Sequence, residues 1–164
     1  MSDPAALPYR PCAGVMLLDR EGRVFVGQRI DTTLEAWQMP QGGIEPGEEP
    51  LDAAIRELGE ETGIAPDKVA LIAEAGQEFF YDLPPELVGK VWKGKWRGQR
   101  QRWFLFRFTG DDADIDIVTA HPEFRSWRWS DPVDLPAMIV PFKRDLYEAV
   151  LAAFAPHLAA APRT

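Results

Sequence analysis

The chain has 164 residues, 46% hydrophobic and 27% charged, which suits one core of ordinary depth and excludes a chain that stays disordered. With 26 acidic and 18 basic residues the net charge is −8, so the molecule as a whole repels polyanions. A general nucleic-acid binder is excluded, and any phosphate ligand must be gripped locally. The single cysteine, Cys12, allows no internal disulfide, and no Cys/His spacing suits zinc. No run of 18 apolar residues could span a membrane, and residues 1–8 lack the basic start and apolar stretch of a signal peptide. A cytoplasmic protein with no membrane partner is expected.

Residues 1–8 are expected to be a flexible lead-in. Val15 to Leu18 and Val24 to Val26 read as short strands joined by the turn Asp19-Arg20-Glu21-Gly22. Residues 31 to 50 hold Pro40, Gly42, Gly43, Pro46 and Gly47, a composition that forbids a helix and predicts a long structured loop. Pro50 suits the first position of a helix and Gly63 the left-handed residue just past its end, with Leu51, Ala54, Ile55 and Leu58 as the apolar stripe between them. Val69 to Ala75, Phe79 to Leu83, Trp103 to Phe108 and Trp127 to Trp129 read as further strands. Phe142, Leu146, Val150 and Phe154 recur at helical spacing, and residues 157 to 164 are expected to be a loose tail. The mixed order predicts one α/β domain over residues 9–156, with helices on both faces of a sheet. From Lys90 to Arg107 there are seven basic residues and no acidic one. The stretch Lys90 to Arg97 mixes cations with Trp92 and Trp96, which suits a phosphorylated, base-bearing ligand or, alternatively, an exposed hairpin with charged edges.

On the helix from Pro50 to Thr62, Glu57, Glu60 and Glu61 stand at i, i+3 and i+4 and share a face. That face lies roughly 115° from the apolar stripe, so the acids are expected to flank the core, at solvent or a cleft. Three like charges at this spacing repel by about 0.2 to 0.5 kcal/mol per pair, a sign that a bound cation reverses. Without context such a trio is a solvated helix face. Here the context is Gly42, five residues, Glu48, seven residues, then Arg56-Glu57-Leu58-Gly59-Glu60-Glu61-Thr62-Gly63-Ile64, an arrangement that composition alone would produce in about 10⁻⁸ of windows.

This arrangement resembles the Nudix box, whose specified positions here are Gly42, Glu48, Arg56, Glu57, Leu58, Glu60, Glu61, Gly63 and Ile64. The roles fit the chemistry. Glycine lets backbone carbonyls near Gln41 and Gly42 approach a metal, and carboxylates are hard oxygen ligands suited to Mg²⁺ or Mn²⁺. Arg56, four residues before Glu60, can brace the acids, and the resemblance implies the same for Glu48. The resemblance also implies a Nudix fold, a mixed β-sheet between α-helices, and water attack on a phosphoanhydride.

Outside the box, Tyr9-Arg10-Pro11, the stretch from Trp37 to Gly43, that from Gly98 to Phe104, Pro122-Glu123-Phe124 and Phe142-Lys143-Arg144 resemble one branch of the family. That branch holds the bacterial RNA pyrophosphohydrolases and the plant-like diadenosine tetraphosphate hydrolases. It implies Glu57, Glu60 and Glu61 as metal ligands, with Glu123 as a further ligand or the base. It implies Arg10, Arg29, Gln99 and Arg102 on phosphates or ribose, and Tyr81, Phe142 and Lys143 around a base; Phe142 could instead be core at the start of its helix. Many members have asparagine, lysine and threonine where Cys12, Arg102 and His121 stand, a departure that touches substrate fit and not the metal ligands. Cys12, His121 and His157 have no partner for a nucleophile or metal site and read as structural or surface residues. The implied substrate is a triphosphorylated RNA 5′ end, which would lose pyrophosphate. The alternatives are diadenosine tetraphosphate, split to ATP and AMP, and a non-catalytic nucleotide-binding module, against which the intact acids argue.

Overall fold

A computed structural model describes residues 7–30, 35–120 and 122–159. Residues 1–6, most of the expected lead-in, residues 31–34 of the expected loop, His121 and residues 160–164 lie outside the described residues.

Eight strands form one mixed sheet. The central pair is β1 (Tyr9–Leu18) and β7 (Gly98–Phe108), parallel in continuous register from Tyr9↔Gly98 to Leu18↔Arg107. Both are longer than their apolar runs predict, because the polar first halves (Tyr9 to Cys12, Gly98 to Arg102) are held by pairing with each other. The turn at Asp19 to Gly22 returns the chain as β2 (Val24–Arg29), which splays away from β1 after Leu18↔Val24. Two short strands fill the gap: β3 (Trp37–Gln38) pairs with β2 and β4 (Gln41–Gly43) pairs with β1. The expected loop is therefore partly threaded through the sheet. Beyond β2 lies β8 (Phe124–Ser130), and β7 is flanked by β5 (Val69–Glu74) and β6 (Phe79–Asp82).

Each face of the sheet carries its own core. In β1, Ala13, Val15 and Leu17 point to one face and Met16 and Leu18 to the other; burial on both faces is why the strand reads as a continuous apolar run. The first face is covered by α1 (Pro50–Thr62), which ends as expected at Gly63 with φ 72° and a bond from its N–H to the Gly59 carbonyl. The second is covered by α2 (Leu135–Met138) and α3 (Arg144–Ala159). Helices thus lie on both faces. Among the described residues no helix is long and apolar enough to cross a membrane.

Two expectations need correction, and two alternatives fall away. The buried face of α1 is Ala53, Ala54, Leu58, Glu61 and Thr62, with Leu51 and Ile55 only at its margin. Small alanines let the helix dock rotated by roughly 50° from the expected stripe, which carries Glu61 into the interior. The stretch Lys90 to Arg97 is not a hairpin: it forms turns and a short 3₁₀ segment, Trp92–Gly94. Phe142 is not in the helix core but half-exposed in the 3₁₀ turn Pro141–Lys143 that precedes α3. Finally, α3 runs on through His157 to Ala159 where a loose tail is expected.

Candidate active site

Arg56 ties the loop after β4 to α1. Its Nε and Nη2 donate to the two oxygens of Glu48, each at 2.8 Å, and Nη2 also reaches the Gly43 carbonyl at 2.8 Å. Nη1 donates to Glu57 Oε1 at 2.9 Å and to Glu60 Oε2 at 3.2 Å. Glu48 also accepts the Glu45 N–H at 3.0 Å. The hydrogen bonds from Arg56, then the one from Glu45, draw its carboxyl down to about 2, so it stays ionised as a brace.

The other acids differ in setting. Glu61 is buried, 4% exposed, and accepts a backbone bond from Gln41. Burial, with Glu57 and then Glu123 nearby, holds its carboxyl well above the usual range, since little near it offsets the charge. Burial also raises Glu57, against the pull of Arg56. Glu60 and Glu123 are half-exposed, Glu123 standing 4.0 Å from Arg29 Nη2 just before β8.

Glu61 Oε2 and Gln41 Oε1 are both buried with no hydrogen-bond partner among the described residues. A Cβ at Gly42 would push the Glu57 carboxylate aside, so glycine lets this acid lie directly against the backbone of β4. Unpartnered buried oxygens from a carboxylate and an amide, beside further carboxylates, are a donor set that fits a hard divalent cation. Among the described residues no three acids are gathered as an ion-holding group, and Arg56 engages both Glu57 and Glu60.

Lining the same cleft are Arg10 from β1, Arg29 from β2, Gln99 from β7 and Lys143 from the turn before α3. Two expected substrate residues are elsewhere. Arg102 is engaged by Glu74 on β5 and lines a neighbouring hollow of about 580 Å³, which shares Arg10, Gly43 and Glu57 with the cleft and is bordered by Trp96 and Arg100. Tyr81 is 7% exposed and belongs to the core beneath α3, with Phe142 5.9 Å and Lys143 5.2 Å from its ring.

Sequence reasoning missed Tyr147, Gln101 and Trp103. The Tyr147 hydroxyl, fully buried, accepts the Met39 N–H at 2.8 Å and so pins the turn between β3 and β4 from behind. Gln101 and Trp103 lie under Gln99 along β7. The alternation Gln99, Gln101, Trp103 signals a shared strand face; nothing local marks that face as the one meeting the cleft. Cys12 is buried in β1, its thiol pushed up to about 11 by burial, as suits a structural residue.

Residues 8–150 match the NUDIX domain, and the chain belongs to the Nudix family. The chain is 63% identical over 156 residues to the RNA pyrophosphohydrolase of Sphingopyxis alaskensis, covering 95% of this chain and 99% of that one. It is 58% identical over 157 residues to the RNA pyrophosphohydrolase of Cereibacter sphaeroides, covering 96% and 97%. Its fold is similar to the crystal structure of a Caenorhabditis elegans Ap4A hydrolase complex, with TM-score 0.67 and 22% identity over 92% of this chain and 98% of that one. The family and these relatives make the chain a hydrolase of pyrophosphate bonds, and such hydrolases generally use divalent metals.

Proposed function

We propose that this chain removes pyrophosphate from the triphosphorylated 5′ end of RNA, acting in the cytoplasm through a single domain of residues 9–156. The observation that carries the reading is the cleft itself, where buried Glu61 with an unpartnered oxygen shares one lining with Glu57, Glu60 and Glu123 and with Arg10, Arg29 and Lys143. Acids for a cation and cations for phosphates, in one cleft, suit a metal-bound polyphosphate. The likeness to relatives named as RNA pyrophosphohydrolases spans nearly the whole chain and favours RNA over a dinucleotide.

Glu57, Glu60 and Glu61 would hold Mg²⁺ or Mn²⁺, with Glu123 as a further ligand or as the base that takes a proton from water. Bound there, the metal neutralises phosphate oxygens and acidifies or orients water. Arg56 and Glu48 keep the ligands in place and touch no substrate. Arg10, Arg29 and Lys143 grip the phosphate chain, and Phe142 offers an exposed ring to a nearby base. Water adds to phosphorus as the anhydride bond breaks, leaving a 5′ monophosphate on RNA and free pyrophosphate.

The test compares triphosphorylated RNA, diadenosine tetraphosphate, ADP-ribose and nucleoside triphosphates in single turnover under the same metal conditions. The expected products from RNA are a 5′-monophosphorylated chain and pyrophosphate. RNA that stays triphosphorylated at enzyme levels that readily split diadenosine tetraphosphate into ATP and AMP overturns the assignment in favour of the dinucleotide.

A further inference from the structure

Behind the cleft, β7 turns three polar side chains to one face, each 1% exposed: Gln99, Gln101 and Trp103. Trp103 Nε1 donates to Gln101 Oε1 at 2.6 Å, and Gln101 Nε2 donates to Gln99 Oε1 at 2.6 Å. The chain has a direction, and the direction is set at the buried end. An indole N–H can only donate, so it takes the carbonyl oxygen of Gln101. That leaves Gln101 its NH₂ for Gln99, which must answer with its own carbonyl. Reversing either amide would set N–H against N–H in a buried place. The indole itself is fixed, lying over Gly14 of β1 and edge-on to Tyr147 at 6.2 Å. With its Oε1 turned back to Gln101, Gln99 turns its NH₂ the other way, in a cleft it lines with Arg10, Arg29 and Lys143.

We infer that Trp103 and Gln101 are positioning residues that lock the Gln99 carboxamide donor-first, making it a reader of an acceptor-only group, a non-bridging phosphate oxygen of the polyphosphate. The inference rests on the cleft being the polyphosphate site. A carboxamide free to rotate would accept a hydroxyl as readily as it donates to phosphate; a locked one does not. Neither Trp103 nor Gln101 touches substrate, and their effect passes through one side chain.

The experiment uses the full chain and whichever phosphoanhydride the wild type hydrolyses, so failure of the RNA reading appears in the wild type and failure of the relay only in variants. Trp103→Phe removes the terminal donor and keeps a ring; Gln101→Met keeps length and removes both polar atoms. Each is expected to lower kcat/KM about tenfold. Each should also weaken binding of inorganic pyrophosphate in Mg²⁺ by a similar factor, by calorimetry. In a Gln99→Met background neither should cost more than about twofold, because the group they orient is gone. A packing role would not show that cancellation. Losses that persist undiminished in the Gln99→Met background, or wild-type kcat/KM in Gln101→Met, overturn the inference. Should Trp103→Phe fail to fold, Gln101→Met alone, with and without Gln99→Met, decides.

Discussion

Removing the charge of Glu61 should stabilise the metal-free protein while weakening its response to metal. Glu61 is buried, one carboxylate oxygen has no partner among the described residues, and Glu57 and Glu123 add like charge. Arg29 and the Gln41 N–H work the other way. An uncompensated buried charge costs several kcal/mol; allowing for those two groups, about 2 kcal/mol should be recovered by Glu61→Gln at neutral pH. For a chain of this size that is about 4 to 8 °C in Tm. The pH dependence has a definite sign. The folded carboxyl is raised above its unfolded value of 4.5, so its contribution to stability is fully present below 4.5 and is lost as pH rises through the folded value. The advantage of Glu61→Gln should therefore be near zero at pH below 4.5, grow with rising pH and level off once the folded group has ionised. Mg²⁺ at 100 times its Kd should add about 2.7 kcal/mol to the wild type and much less to the variant. Thermal melts in EDTA and in Mg²⁺ across this range are the assay. A variant that melts no higher than wild type in EDTA at pH 8, or a gap that does not change with pH, refutes the reasoning.

Glu60→Gln, at a half-exposed position on α1, should leave the melting temperature within a few degrees and lower kcat by about two orders of magnitude; rapid-quench turnover in Mg²⁺ checks it. Gly42→Ala should displace the Glu57 carboxylate and reduce both kcat and the Mg²⁺-induced rise in Tm, the fold being retained by circular dichroism. Glu48 should show the opposite pH behaviour to Glu61: its folded value near 2 lies below its unfolded 4.5, so the stability it shares with Arg56 is present above 4.5 and lost as pH falls through about 2. Acid melts of wild type against Glu48→Gln should therefore converge at the lowest pH. Replacing exposed Lys93 and Lys95 with serine should lower kcat/KM for RNA and flatten its log–log salt slope by about 1.4, while diadenosine tetraphosphate is little affected; equal effects on both would remove any steering role. Arg97 is left out of that pair because it is bound to Asp82 at 2.9 Å and lies over the Tyr9 ring, so its loss would also disturb β6 and β1.

Features of this protein that obey local rules are legible in its sequence. Pro50 and Gly63 bound α1 because first-turn and left-handed preferences act over one or two residues. The spacing of Gly42, Glu48, Arg56 and the three glutamates identifies the family because the chemistry demands that order along the chain. Other features depend on how faces meet in three dimensions. Which side of α1 docks was set by Ala53 and Ala54 packing on the sheet, and this rotation buried Glu61, which periodicity alone placed outside the core. The antiparallel register of β5 and β7 pairs Glu74 with Phe104, which sets Glu74 diagonally across from Arg102 and draws that cation into the neighbouring hollow. The parallel pairing of β1 with β7 extended both strands through polar residues that carry no strand signal of their own, and so turned Gln99, Gln101 and Trp103 into one buried row. A two-residue period says those three share a face; only the packing of the sheet against α3 and the turn of β3 and β4 says that the row ends at a cleft.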